Sequence, residues 1–171
     1  MTLNRLGIDA PLPAGLVTVA GHQSPVERWT TLAARPAQLL GFEAWSSALE
    51  HESCLSPRER SIARLASTRR SSYEFGLASA AAREVGITDE HILAAGDEDW
   101  TADCWTEAER ILLRFALLVD AGHGVGDTIV EQLRNHFDDE RIIEICQVCA
   151  HGGSLSRLSI ALRIDGVERR N

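Results

Sequence analysis

The chain has 171 residues, 44% hydrophobic and 25% charged, enough for one domain with its own core. Net charge is −8 and all 17 basic residues are Arg, so there is no Lys for Schiff-base chemistry and no basic stripe for nucleic acid. No stretch reaches the roughly 20 apolar residues of a membrane span, and "MTLNRLGIDAPLPAGL" lacks the basic start and apolar run of a signal peptide. A cytoplasmic location is therefore expected, with Cys54, Cys104, Cys146 and Cys149 reduced.

In chain order, residues 1–24 read as an irregular arm, and a helical domain is expected over 25–164. "SPVERWTTLAA" and "PAQLLGFEAWSSALEH" open it, the latter repeating Leu39, Leu40, Trp45 and Leu49 at helical spacing. "SPRERSIARLAS" begins with Ser56 as N-cap, Pro57 at the first helical position and Glu59 three residues after the cap. "SYEFGLASAAAREVG" is an Ala-rich helix stopped by Gly86, and "TDEHILAAG" a short one capped by Thr88 and ended by Gly96. "TEAERILLRFALLVDAG" carries a second capping box, Thr106 with Glu109, and stops at Gly122. "VGDTIVEQLRNHF" and "DDERIIEICQVCAHGGSLSRLSIALRI" complete the set, and 165–171 is a tail. Strand-like alternation is nowhere sustained, so the expected class is all-α. Gly152 and Gly153 either weaken the last helix, each by up to about 1 kcal/mol relative to Ala, or let a neighbouring helix approach closely.

At "LSPRERSIARLAS" and "SSYEFGLASAAAREVGIT" the sequence resembles the carboxymuconolactone decarboxylase and alkylhydroperoxidase D family, and the resemblance extends from about Ala33 to Ile164. It implies a single-domain helical bundle, a homo-oligomer, a small-molecule substrate pocket and no cofactor. The family's thiol branch carries Glu-x11-Cys-x2-Cys-x3-His. On this chain those positions fall on Glu59, Ser71, Glu74 and Ala78. Only the acid survives. Reducing a peroxide requires a thiolate, so the inherited peroxidase site is not available here. The decarboxylase branch is the nearer match through Tyr73 and Glu74, with Ala78 where a His is usual.

Each candidate has two readings. Glu59 is a pocket acid or the far half of its capping box. Glu74 sits among Ala, Leu, Gly and Phe, where desolvation suits a carboxylate to acid–base work, or it pairs with Arg69, Arg70 or another Arg. Ser71 and Tyr73 can orient a substrate, while Ser71 is equally a natural N-cap. Arg69 and Arg70 add to anion binding near that helix start, or are simply solvated. Cys146 and Cys149 form a Cys-x-x-Cys, but mid-helix, which suits core packing better than redox chemistry. His151 is a core His or a replacement for the missing one. The remaining histidines share no metal-ligand spacing, so no metal is expected.

The reading is non-redox acid–base chemistry, lyase or isomerase in type, on a small acidic molecule or lactone. Glu74 and Glu59 are the catalytic candidates, and Ser71, Tyr73 and His151 the substrate-binding ones. No nucleic-acid or membrane partner is expected. The alternatives are a thiol peroxidase using Cys146 and Cys149, or a silent binding protein on the same fold.

Overall fold

A computed structural model describes residues 32–164. The described residues form seven helices and no strand: α1 (Pro36–His51), α2 (Pro57–Thr68), α3 (Ser72–Glu84), α4 (Asp89–Gly96), α5 (Glu107–Ala121), α6 (Asp127–Arg134) and α7 (Asp139–Leu162). This is the all-α class expected. The segment "SPVERWTTLAA" lies almost wholly outside the described residues, as do the arm 1–24 and the tail 165–171.

The chain divides into two compact units, whose described parts are 32–52 with 158–164, and 53–157. In the first, α1 opens on Pro36, whose missing N–H costs nothing at a helix start. Leu39 and Ala33 are buried with Leu32 and Phe42 against them, and Phe42 meets Trp45 edge-on at 6.1 Å between ring centroids.

The second unit is organised around α2, which packs against α3, α4 and α5, while α5 packs also on α6. Its start follows from sequence: Ser56 Oγ accepts the Glu59 N–H at 3.3 Å, and Glu59 Oε2 accepts the Ser56 N–H at 2.8 Å. Thr106 and Glu109 repeat this box at the start of α5, at 3.3 and 3.0 Å. Gly122 ends α5 at φ +72°, a left-handed conformation open to Gly at little steric cost, and its N–H meets the Leu118 and Val119 carbonyls. Between these caps Ile62 and Leu65 of α2 and Leu112 and Leu113 of α5 are fully buried. Each such side chain contributes about 1.5–3 kcal/mol relative to exposure.

One start differs from expectation. Thr88 stands at the N-cap position of α4 without a capping hydrogen bond. Its Oγ1 instead meets His91 Nδ1 at 2.6 Å. Arg58 explains the diversion: it donates to His91 Nε2 at 3.1 Å, so the imidazole proton sits on Nδ1 and is given to Thr88. The same guanidinium reaches Glu109 at 2.5 Å and the Gly86 carbonyl at 2.8 Å, tying the starts of α2, α4 and α5 together.

Helix α7 runs unbroken through Gly152 and Gly153. A methyl group at Gly152 would lie 2.2 Å from Ser67 Oγ, 3.1 Å from Ser67 Cβ and 3.3 Å from Thr68 Cγ2. Of the two readings of this pair, close helix approach is the one Gly152 serves. No helix among the described residues is long and apolar enough to cross a membrane.

Candidate functional site

Three of the predicted positions, Ser71, Tyr73 and Glu74, lie at the junction between α2 and α3. Ser71 is the N-cap of α3, with extended backbone (φ −108°, ψ 113°), and its Oγ accepts the Glu74 N–H at 3.3 Å. It is fully buried, and its own proton has no acceptor among the described residues. Glu74 follows one turn later and is only 3% exposed. Ala78 and Ala82 continue the same buried stripe, so the positions aligned with the family's two Cys and His lie on one inward face. Tyr73 is half-buried beside them.

Glu59 is placed differently. Besides closing its capping box, its Oε1 accepts from Arg141 of α7 at 2.5 Å. Burial acts to raise its pKa, but the hydrogen bonds from Arg141 and Ser56 outweigh it and hold the carboxyl below the ordinary Glu value. A carboxylate so engaged is a fastening between α2 and α7. His151 is buried on α7, next to the glycine that touches Ser67 and Thr68 just before Ser71.

The paired arginines depart from the solvated reading. The Arg69 side chain is buried, donating to Asp120 of α5 at 2.5 Å, to Glu98 at 2.9 Å and to the Ala66 carbonyl at 2.6 Å. Arg70, half in solvent, also reaches Asp120, at 3.3 Å. Both charges are thus met by Asp120 rather than by Glu74, and Arg69 is not open to a ligand anion. Asp120 is a residue that sequence reasoning passed over. A lone acid in the apolar run "LLRFALLVDAG" is the signal that a buried cation awaits it.

All four cysteines are free thiols. Burial raises the pKa of Cys149, with Cys146 and Asp120 adding to it, and burial likewise raises that of Cys146. Cys54 is pushed up to about 11, by burial first and then by its contact with Glu144, and Cys104 is raised by burial and Glu90. None of these environments stabilises a thiolate. Among the described residues no group of three or more His, Cys, Asp or Glu is placed to hold a metal ion.

No family model and no curated protein matches the sequence. Solved structures do. The alkylhydroperoxidase AhpD core of an uncharacterized peroxidase-related protein from Ralstonia eutropha is 25% identical, with a TM-score of 0.80 over 100% of this chain and 94% of that one. The chain has the alkylhydroperoxidase D-like fold. A protein of unknown function from Agrobacterium tumefaciens, with a suggested AhpD antioxidant-defence role, matches at TM-score 0.71 and 23% identity, covering 78% of this chain and 92% of that one. A debrominase, solved as a cysteine-to-alanine variant in complex with 2,3,4-tribromopyrrole, matches at TM-score 0.67 and 21% identity over 77% and 72% of the two chains. The alkylhydroperoxidase D-like fold therefore agrees with the resemblance read at "LSPRER" and "SSYEFGLASAAAREVGIT". It does not select a reaction, since a peroxidase-related protein and a debrominase share it.

Proposed function

We propose that this alkylhydroperoxidase D-like protein carries out non-redox acid–base chemistry, of lyase or isomerase type, on a small organic acid or lactone. The observation that carries the reading is the Glu74 carboxylate, buried on the inward stripe of α3 one turn from the Ser71 hydroxyl. Glu74 takes a proton from the carbon beside a substrate carbonyl and returns it to the product. Ser71, whose oxygen already accepts the Glu74 N–H, gives its own proton to the oxygen on which charge develops. Tyr73 and His151 orient the substrate, and Glu59 supports the site by fastening α2 to α7 through Arg141.

The raised pKa values of all four thiols support leaving redox chemistry out. Assembly into a homo-oligomer belongs to the same reading and is checked by light scattering. The function is tested by screening lactones and β-keto acids for isomerisation or loss of CO₂, then comparing Glu74→Gln with the wild type on any substrate found. Gln keeps the size and most hydrogen bonding but cannot cycle a proton, so turnover should fall by about 10²–10⁴-fold with the fold retained. Undiminished turnover in Glu74→Gln removes the residue from the mechanism and makes His151 the next group to test.

A further inference from the structure

A cavity of about 440 Å³ opens in the second unit along α5, away from the Glu74 stripe. Its volume lies in the range of small-molecule sites. Arg110, Ile111 and Arg114 line it from successive turns of α5, Trp100 from the preceding loop, and Gln132 and Asn135 from the end of α6. Two like charges one turn apart repel, so placing Arg110 and Arg114 together works against the helix unless something offsets it.

Nothing within the described residues does so fully. Neither guanidinium has a carboxylate within ion-pair distance, although the chain carries 25 acidic residues and most of the other described arginines find one. Arg114 lies over the Trp100 ring at 4.4 Å, which fixes its plane without neutralising it. Arg110 donates only to the Ala102 carbonyl, at 3.5 Å, the outer limit of a hydrogen bond. Its Nε is shut off from solvent and has no acceptor among the described residues. Arg110 itself is half-buried and lines the cavity, so an incoming oxyanion meets a guanidinium charge that no described carboxylate pairs. The rim also carries Glu107, and Asp99 lies close enough to feel the Arg110 charge, so the site favours a single compact anion over a polyanion.

We infer that this cavity binds a small organic oxyanion, a carboxylate or a phosphate monoester, whose charged end lies between Arg110 and Arg114. The planar, fixed donors of the two guanidinium groups match the paired oxygens of such a group. Ile111 offers its flat or apolar body a surface, and the Gln132 and Asn135 amides meet its polar substituents. The site is separate from the acid–base centre and does not rest on it.

The test is calorimetric titration of the full-length protein with benzoate, phenyl phosphate, inorganic phosphate and the neutral benzamide. Benzoate or phenyl phosphate should bind, and Arg110→Gln and Arg114→Gln should each weaken binding about ten- to a hundredfold. Glu74→Gln should leave it unchanged. Preference between the two organic probes separates a carboxylate from a phosphate ligand, while inorganic phosphate alone measures what the body of the ligand adds. Trp100 fluorescence, assigned with Trp100→Phe, should respond in the wild type and in Glu74→Gln but not in the Arg variants. The inference is overturned if no anionic probe binds at millimolar concentration, if benzamide binds as well as benzoate, or if both Arg variants, folded by circular dichroism, bind like the wild type.

Discussion

Gly152→Ala is the most informative single methyl group that can be added to this fold. In an isolated helix the change is favourable, by up to about 1 kcal/mol. Here the new Cβ falls 2.2 Å from Ser67 Oγ, and turning that hydroxyl away leaves Ser67 Cβ at 3.1 Å and Thr68 Cγ2 at 3.3 Å. The Ser67 hydroxyl is also engaged, with the Ala63 carbonyl at 3.0 Å and the Arg64 carbonyl at 3.1 Å, so its rotation costs hydrogen bonds as well. Overpacking of this kind typically costs about 1–3 kcal/mol, which outweighs the propensity gain in all but its mildest cases. A net loss of roughly 1–2 kcal/mol should lower the melting temperature by about 2–8 °C in a chain of this size. Ser67→Ala in the same background removes the nearest atom and should recover part of the loss, a coupling that independent sites would not display. Gly153→Ala is the control. Its methyl would meet the Arg157 Nη1 at 3.0 Å and Asp120 Oδ1 at 3.2 Å; Arg157 is exposed and can swing aside, so the cost should be smaller. Thermal unfolding of the four proteins decides the matter. A Gly152→Ala protein as stable as the wild type would refute the close approach of α7 to the end of α2.

Further outcomes follow from the charged contacts. Arg69→Met leaves Asp120 buried with only the half-exposed Arg70 and should cost about 3–5 kcal/mol, while adding Asp120→Leu should restore much of it; simple additivity by denaturant titration would contradict a buried pair. Glu59 and Glu109 both have depressed pKa values, because hydrogen bonds from Arg141 and Ser56, and from Arg58 and Thr106, outweigh burial. Their stabilisation is therefore complete above the unfolded Glu value of about 4.3 and is lost as pH falls below it through the folded values, so Glu59→Gln with Glu109→Gln should flatten the acid limb of a stability–pH profile. An acid limb as steep as that of the wild type would count against both fastenings. Hydroperoxide consumption with a dithiol donor should be negligible, and robust turnover abolished by Cys146→Ser or Cys149→Ser would reverse the non-redox assignment.

Local chemistry along the chain determined the helices. Ser56 with Glu59, Thr106 with Glu109 and the turn at Gly122 act over three or four residues, within reach of neighbouring backbone groups, so their sequence signatures carry over directly to the fold. Ser71, Glu74 and Ala78 were singled out by the family resemblance, and the helix places them on one buried face. What each charged side chain does was decided only by partners far away in sequence. Arg69 meets Asp120 51 residues on, and Glu59 meets Arg141 82 residues on, contacts that no local pattern announces. The diversion of Thr88 from its cap required Arg58, 30 positions earlier, acting through His91. The unmet guanidinium groups of Arg110 and Arg114 depend likewise on which carboxylates the packing brings near and which it keeps away. A cap is settled by its own turn of helix, whereas a charge is settled by whatever the fold places within a few ångströms of it, and single-chain periodicity carries no record of that.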